Sequence, residues 1–432
     1  MNKNRKILFI ILLVLCFVFV GCNANNSGSD DPVKIDPPKT TDPGNDPGNA
    51  TDPGTEVTPA KQTVLGIDNI DKYMDWFNGK RVGLITNPTG INKDYQSTID
   101  VLYEKVNLVS LFAPEHGIRG NSEAGGTIGN EIDIKTNLTV YSLYGSNKQP
   151  TKEMMDELDV LCIDIQDVGA RFYTYIYTMA YAMQACATYK KTFIVFDRPN
   201  PVNGVDVQGN LLDWTYSSFI GMYPIVTRHG MTIGEIAKYF NTEFSINCDL
   251  KVVKMENYDR TKYYDELNLP WVNPSPNMPT VDTAVVYSGT CLFEGTNLSV
   301  GRGTTKPFEF IGAPYINPFD WADKLNSLNL PGVYFRPMYF TPVSSTNANQ
   351  LCGGVQVHVT DRSTFDAVKS AMAMYYTVVE LYPDSFSFTS SFKLLTGVDY
   401  IYSRRYTLSE LFIIIDADVK AFKVTREMYL IY

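Results

Sequence analysis

The feature that most restricts the fold is an alternation of short apolar runs with helical spacing, beginning near residue 63 and continuing to about 253. Residues 81–86, 108–112, 138–143, 160–165, 193–196 and 250–253 read as strands. Short aliphatic runs bounded by turn residues fit strands covered on both faces. Between them, 95–105 reads as a helix, with Ile99, Leu102 and the following Val106 spaced to line one face. Residues 151–158, 172–189 and 232–240 carry further helical patterns, with Thr151 and Thr232 as N-caps. Such β-α alternation predicts an α/β fold with a mostly parallel sheet covered by helices.

The strands stop at polar residues. One leads to Asn87-Pro88-Thr89-Gly90, a turn. The next lead to Pro114-Glu115-His116-Gly117, Gln166-Asp167-Val168-Gly169-Ala170-Arg171, and Asp197-Arg198-Pro199-Asn200-Pro201. In an open parallel sheet these carboxyl ends lie along one edge, where ligands bind. The four loops are therefore expected to converge on one cleft. The chain changes character near 280, after a Pro-rich loop over 271–279. A strand at 355–359 and a helix at 363–381 indicate a smaller α+β domain. The expected division is 62–282 for the sheet domain and 283–432 for the second, with the cleft completed between them.

The first residues are of a different kind. Lys3, Arg5 and Lys6 precede 14 unbroken apolar residues over 7–20, which are too few for a membrane span of about 20 but fit the core of a secretory signal. The run ends Gly21-Cys22, which resembles a bacterial lipobox, so 1–21 is expected to be a signal peptide and Cys22 the lipidated residue. Residues 22–61 repeat Asp-Pro-Gly among Asn, Thr and Ser and read as a flexible tether. The protein is therefore expected at the cell envelope, held to the membrane through Cys22. Without 1–21 the 37 basic residues become 34 against 47 acidic, a net charge of −13. That balance argues against a nucleic-acid partner.

Five further cysteines, at 162, 186, 248, 291 and 352, are widely spaced and form neither a zinc ribbon nor a dense disulfide framework. The three histidines, 116, 229 and 358, have no metal-like spacing, so neither a metal nor a cofactor is expected. There is no Walker A run and no G-x-S-x-G elbow. Gly125, Gly126 and Gly129 suggest a loop over the cleft.

The strand-end motifs quoted above resemble one family, as do Pro274-Ser275-Pro276-Asn277-Met278-Pro279 and the run 289–304, with Glu294-Gly295-Thr296-Asn297 and Gly301-Arg302-Gly303. This is the exo-β-N-acetylmuramidase family NamZ, and the resemblance spans roughly 63–432. It implies a Rossmann-like N-terminal domain and an exo-acting glycosidase that releases N-acetylmuramic acid from non-reducing ends of peptidoglycan fragments. It also implies that Glu115, the carboxylate of the Pro-Glu-His-Gly motif, is catalytic.

Glycoside cleavage needs a proton donor for the leaving oxygen and stabilisation of an oxocarbenium-like centre. Glu115, following an apolar strand and Pro114, suits the donor, and His116 beside it would orient it or share its proton. Asp167 and Glu294 are candidates for a second catalytic group, and the substrate's own acetamido oxygen is an alternative to both. Selecting the lactyl carboxylate of N-acetylmuramic acid calls for an arginine, with Arg171 the first choice and Arg302 the second, and Arg198 also in a motif. Asn87, Tyr173, Asn200, His229, Asn277 and Asn297 complete the candidate substrate-binding set. A different class of function shares these features: a surface lipoprotein that binds sugar or muropeptide without cleaving it.

Overall fold

The computed structural model describes residues 62–115, 117–119, 131–145 and 147–432. The signal, lipid site and tether expected within 1–61, His116, and the loop with Gly125, Gly126 and Gly129 lie outside the described residues.

The expected α/β fold is present. Strands β1 (Arg81–Thr86), β2 (Asn107–Ala113), β3 (Glu131–Ile132), β4 (Thr139–Ser142), β5 (Val160–Asp164), β6 (Thr192–Phe196) and β7 (Asp249–Val253) form one sheet. Their order is β3-β4-β2-β1-β5-β6-β7, and every pairing is parallel except β3 against β4. The chain moves outward from β1 through β2 to β4, then returns to the other side of β1 as β5. Strand order therefore reverses at β1, where a doubly wound sheet opens a crevice at its carboxyl edge. Burial explains the central position of β5, whose five residues are all covered. A strand sheathed on both faces has no need of polar alternation.

The helices begin where local chemistry permits. Helix α1 (Thr98–Lys105) starts three residues later than its apolar spacing predicts. Tyr95 has a left-handed φ of 63°, and Ser97 caps the helix by accepting from the Ile99 N–H. After α2 (Lys152–Asp156), helix α3 (Tyr175–Tyr189) starts after a turn rather than at 172. Gly169, at φ 77°, reverses the chain there, and the Tyr173 N–H donates to the Ala170 carbonyl at 3.0 Å. Helix α4 (Ile233–Glu243) has the full capping box, with Thr232 and Glu235 serving each other's backbone N–H.

The second sheet is antiparallel, in the order β8 (Phe310–Ala313), β10 (Cys352–Val359), β9 (Val333–Phe340). Helices α5 (Val281–Thr290), α6 (Pro318–Asn326) and α7 (Ala367–Leu381) accompany it, followed by α8 (Ser391–Thr396), α9 (Asp399–Tyr402) and α10 (Leu408–Arg426). Helices α5 and α7 approach closely at Gly289, where a Cβ would stand 1.9 Å from the Ala367 carbonyl oxygen, so only glycine fits.

The described residues, from 62 to 432, form one compact unit, and buried apolar side chains run continuously from the first sheet into the second. Polar stitches cross it. The Gln208 amide donates to the Phe365 carbonyl at 2.9 Å and accepts from the Ala367 N–H at 3.1 Å. The Arg426 guanidinium, at the end of α10, donates to the carbonyls of Gly204, Val205, His229 and Gly230. The five cysteines outside 1–61 are all buried free thiols. Among the described residues, no helix is long and apolar enough to cross a membrane, and no cluster of three or more His, Cys, Asp or Glu is placed to hold a metal ion.

Candidate active site

Strand β2 ends at Ala113, and two residues later Glu115 reaches a cavity of about 230 Å³. The turn before α3 supplies Phe172, Tyr173, Thr174 and Tyr175, and Tyr144, Phe219 and Ile220 extend this wall. The Pro-rich loop adds Ser275 and Met278, and the stretch 287–308 closes the far side with Tyr287, Glu294, Arg302 and Phe308. The Pro-rich loop is fixed from below by the Tyr175 hydroxyl, which donates to the Pro274 carbonyl at 2.6 Å.

Glu115 is half-buried, and its Oε2 accepts from the Thr174 hydroxyl at 3.2 Å. No cation pairs with it among the described residues. Its neighbour Tyr144 has its phenol pushed up to about 12, first by burial and then by the adjacent Glu115 carboxylate. The aromatic wall is rigid: Tyr173 meets Tyr175 edge-on at 4.9 Å, and Tyr287 meets both Tyr173 and Phe308 edge-on at 5.9 and 4.7 Å. Tyr173 and Tyr175 both line the cavity, the first from the turn that follows Ala170 and the second from the first residue of α3.

On the far side, the Arg302 Nε donates to Glu294 Oε1 at 2.6 Å, and the guanidinium lies over the Phe308 ring at 5.2 Å. The Cys291 thiol reaches the other Glu294 oxygen at 3.7 Å.

The structure thus brings Glu115, Tyr173, Glu294 and Arg302 of the expected set into one cavity. A second group lies beneath the tyrosines. Asp167 Oδ2 accepts from the Gly169 N–H at 2.7 Å and stands 3.8 Å from His229 Nε2. His229 Nδ1 accepts from the Met231 N–H at 3.2 Å, so the neutral ring carries its proton on Nε2, toward Asp167. Asn87 Nδ2, Asp167 Oδ1, the Tyr173 hydroxyl and His229 Nε2 are all buried without a hydrogen-bond partner among the described residues. These groups sit at the carboxyl edge of β1 and β5. Of their side chains, only that of Tyr173 lines the cavity.

The remaining candidates stand elsewhere. Arg171, the first choice for an anion, is fully buried, and its guanidinium donates to the carbonyls of Asn210, Ile225, Leu395 and Thr396. It therefore knits backbone instead of meeting a ligand, and burial pushes it down to about 10. Arg198 pairs with Asp164 at 2.9 Å and donates to the Ile91 carbonyl. Asn200 donates to the Met231 carbonyl at 3.0 Å and accepts from the Val202 N–H. Asn297 donates to the Ser385 carbonyl and accepts from the Tyr315 hydroxyl. Asn277 is half-buried between Ser275 and Met278 and does not line the cavity. The expected convergence of four loops therefore reduces to two, those after β2 and β5. The loop after β6 acts as a support, its Arg198 spent on Asp164 and the Ile91 carbonyl and its Asn200 on neighbouring backbone, while Asn87 after β1 accepts from Thr89 and does not line the cavity.

Outside the expected set stand Phe172, Thr174 and Tyr175, which follow directly on the motif ending at Arg171, and Tyr144, Phe219, Ile220, Tyr287 and Phe308, which have no polar-motif signature. Ser275 and Met278 lie in the same Pro-rich motif as Asn277, and they rather than the asparagine line the cavity.

Models of the N-terminal and C-terminal domains of the exo-β-N-acetylmuramidase NamZ match residues 82–282 and 285–432. The peptidoglycan β-N-acetylmuramidase NamZ of Bacillus subtilis strain 168 is 50% identical over 386 residues, covering 88% of this chain and 93% of the relative. Two crystal structures of DUF1343 family proteins from Bacteroides fragilis NCTC 9343 share the fold. The first has a TM-score of 0.81 at 37% identity, covering 87% of this chain and 100% of that one. The second has a TM-score of 0.70 at 33% identity, covering 86% and 99%. The family that the strand-end motifs resemble is thus found along nearly the whole folded chain, and this protein belongs to the NamZ family of exo-β-N-acetylmuramidases.

Proposed function

We propose that the protein is an exo-acting glycoside hydrolase that releases N-acetylmuramic acid from non-reducing ends of peptidoglycan fragments, with Glu115 as the acid that protonates the leaving oxygen. The observation that carries this reading is a carboxyl group just past the end of β2, half-buried in an aromatic-lined cavity, with a hydroxyl as its hydrogen-bond partner. No guanidinium competes for this carboxyl group among the described residues, which leaves it facing the cavity where a leaving oxygen would need a proton. The cavity, at about 230 Å³, is smaller than the roughly 300–1,000 Å³ of ordinary small-ligand pockets. That size suits one terminal sugar unit and supports exo rather than endo action. The activity of the Bacillus subtilis relative, at 50% identity, points to the same substrate.

The direct test is incubation of the purified protein with a chromogenic β-N-acetylmuraminide and with the matching glucosaminide. Release from the muraminide alone supports the reading. Cleavage of neither by a folded protein that still binds the sugar supports the non-catalytic lipoprotein instead.

We also propose that 1–21 directs export and that Cys22 carries a lipid, leaving the catalytic unit tethered at the envelope by 22–61. A basic start, a short apolar run and Gly21-Cys22 support this. Labelling with a radioactive fatty acid should mark the intact chain and not Cys22→Ala. Equal labelling of both removes the lipid from the account.

A further inference from the structure

We infer that Arg302 reads the lactyl carboxylate of the substrate, and that Glu294 is a positioning residue which holds Arg302 for that task and does not act on the sugar itself. The inference rests on the muramidase reading for the identity of the anion.

Three observations on the far wall carry it. First, among the described residues lining the cavity, Arg302 is the one lysine or arginine. In a chain of net charge −10, an anionic sugar needs such a local positive site to enter. Second, Arg302 is constrained from two directions. Its Nε is bound to Glu294 Oε1 at 2.6 Å, and its plane rests on Phe308 at 5.2 Å. Its two Nη groups have no acceptor among the described residues, although the side chain is only 25% exposed. The edge left open is a pair of parallel N–H donors, which matches the geometry of a carboxylate. Third, both oxygens of Glu294 are engaged within its own loop, one by Arg302 and the other facing the Cys291 thiol at 3.7 Å. Glu115 has no such pairing. The two cavity carboxylates therefore divide the work: Glu115 handles protons, and Glu294 aims a cation.

The test uses the full chain and two chromogenic muraminides, one with a free lactyl carboxylate and one with that group capped as its methyl amide. Binding of free N-acetylmuramic acid and of its methyl amide is measured in parallel by calorimetry. Wild type should favour the acid by about 10- to 100-fold in both measurements, the range of a charge-assisted hydrogen bond. Arg302→Met should bring the acid-to-amide ratio close to one, and Arg302→Lys should recover part of it. Glu294→Gln should raise KM for the acid about 3- to 10-fold, with kcat falling far less than KM rises. Equal losses on acid and amide in Arg302→Met, or a collapse of kcat on both substrates in Glu294→Gln, would overturn the inference. A wild type that cleaves neither compound yet binds the acid more tightly, with that preference lost in Arg302→Met, removes the hydrolase and keeps this assignment. A wild type without the preference in binding removes the assignment whatever it cleaves.

Discussion

The two walls of the cavity each present one carboxylate, and they treat it in opposite ways. At the sheet edge, Glu115 meets a neutral hydroxyl, that of Thr174. Across from it, Glu294 meets a guanidinium. The first carboxylate is left without a cation among the described residues, whereas the second is fixed in place by one. On the proposed reading, proton chemistry and anion recognition occupy separate walls, the first on the sheet that carries β1–β7 and the second on the stretch between α5 and β8.

The sharpest way to break that contrast is Glu115→Gln. A lost proton donor should lower kcat by about 10²- to 10⁴-fold while N-acetylmuramic acid still binds, measured by chromogenic assay and calorimetry. Retained turnover would mean that the sheet wall does not supply the acid. Arg171→Met comes next in size. It leaves the carbonyls of Asn210, Ile225, Leu395 and Thr396 without their donor and should cost about 2–4 kcal/mol of stability by urea unfolding. A raised KM with unchanged stability would instead return Arg171 to the ligand.

Acid sensitivity should be concentrated on the sheet side. Asp133 is held at about 2, first by the Arg119 guanidinium and then, against the opposing effect of burial, by Thr136. Its pKa is lower folded than unfolded, so its stabilisation is complete above about pH 4 and disappears as the pH falls through 2. Arg119 is 31% exposed, so screening limits the contribution to about 1–2 kcal/mol. Melting temperatures between pH 4 and 2 should fall less steeply in Asp133→Asn than in wild type. The smallest effect belongs to Thr174→Val, where loss of one neutral donor to Glu115 should change kcat about 3- to 10-fold. A loss as large as that of Glu115→Gln would assign the hydroxyl itself a chemical part.

Strands β1, β2, β5 and β6 were legible in the sequence because a strand covered on both faces leaves a nearly continuous apolar run, whereas β7, a partly covered edge strand, was legible from Leu250, Val252 and Val253. Strands β8 and β9 were not, since β9 is only partly covered and its residues alternate irregularly between buried and exposed. Within the site, Glu115, Tyr173, Glu294 and Arg302 were legible from motif position and charge. Arg171 and Arg198 look identical to Arg302 in a sequence, because a motif marks where the backbone is special and not what a side chain finds there. In Arg171 the guanidinium found four carbonyls, and in Arg198 it found Asp164. The apolar lining, such as Phe308 and Ile220, has no signature of its own, since aromatic and aliphatic side chains most often only fill cores.

The long-range stitches made by Arg171, Gln208 and Arg426 bear on how sugar enters and leaves. Each joins segments more than 150 residues apart, through hydrogen bonds to buried backbone. A bivalve opening would have to rupture all three sets at once and bare their carbonyls to a dry interior. Turnover is therefore expected to depend on small local displacements, and release should respond to changes in the loops around the cavity far more than to anything that loosens a hinge.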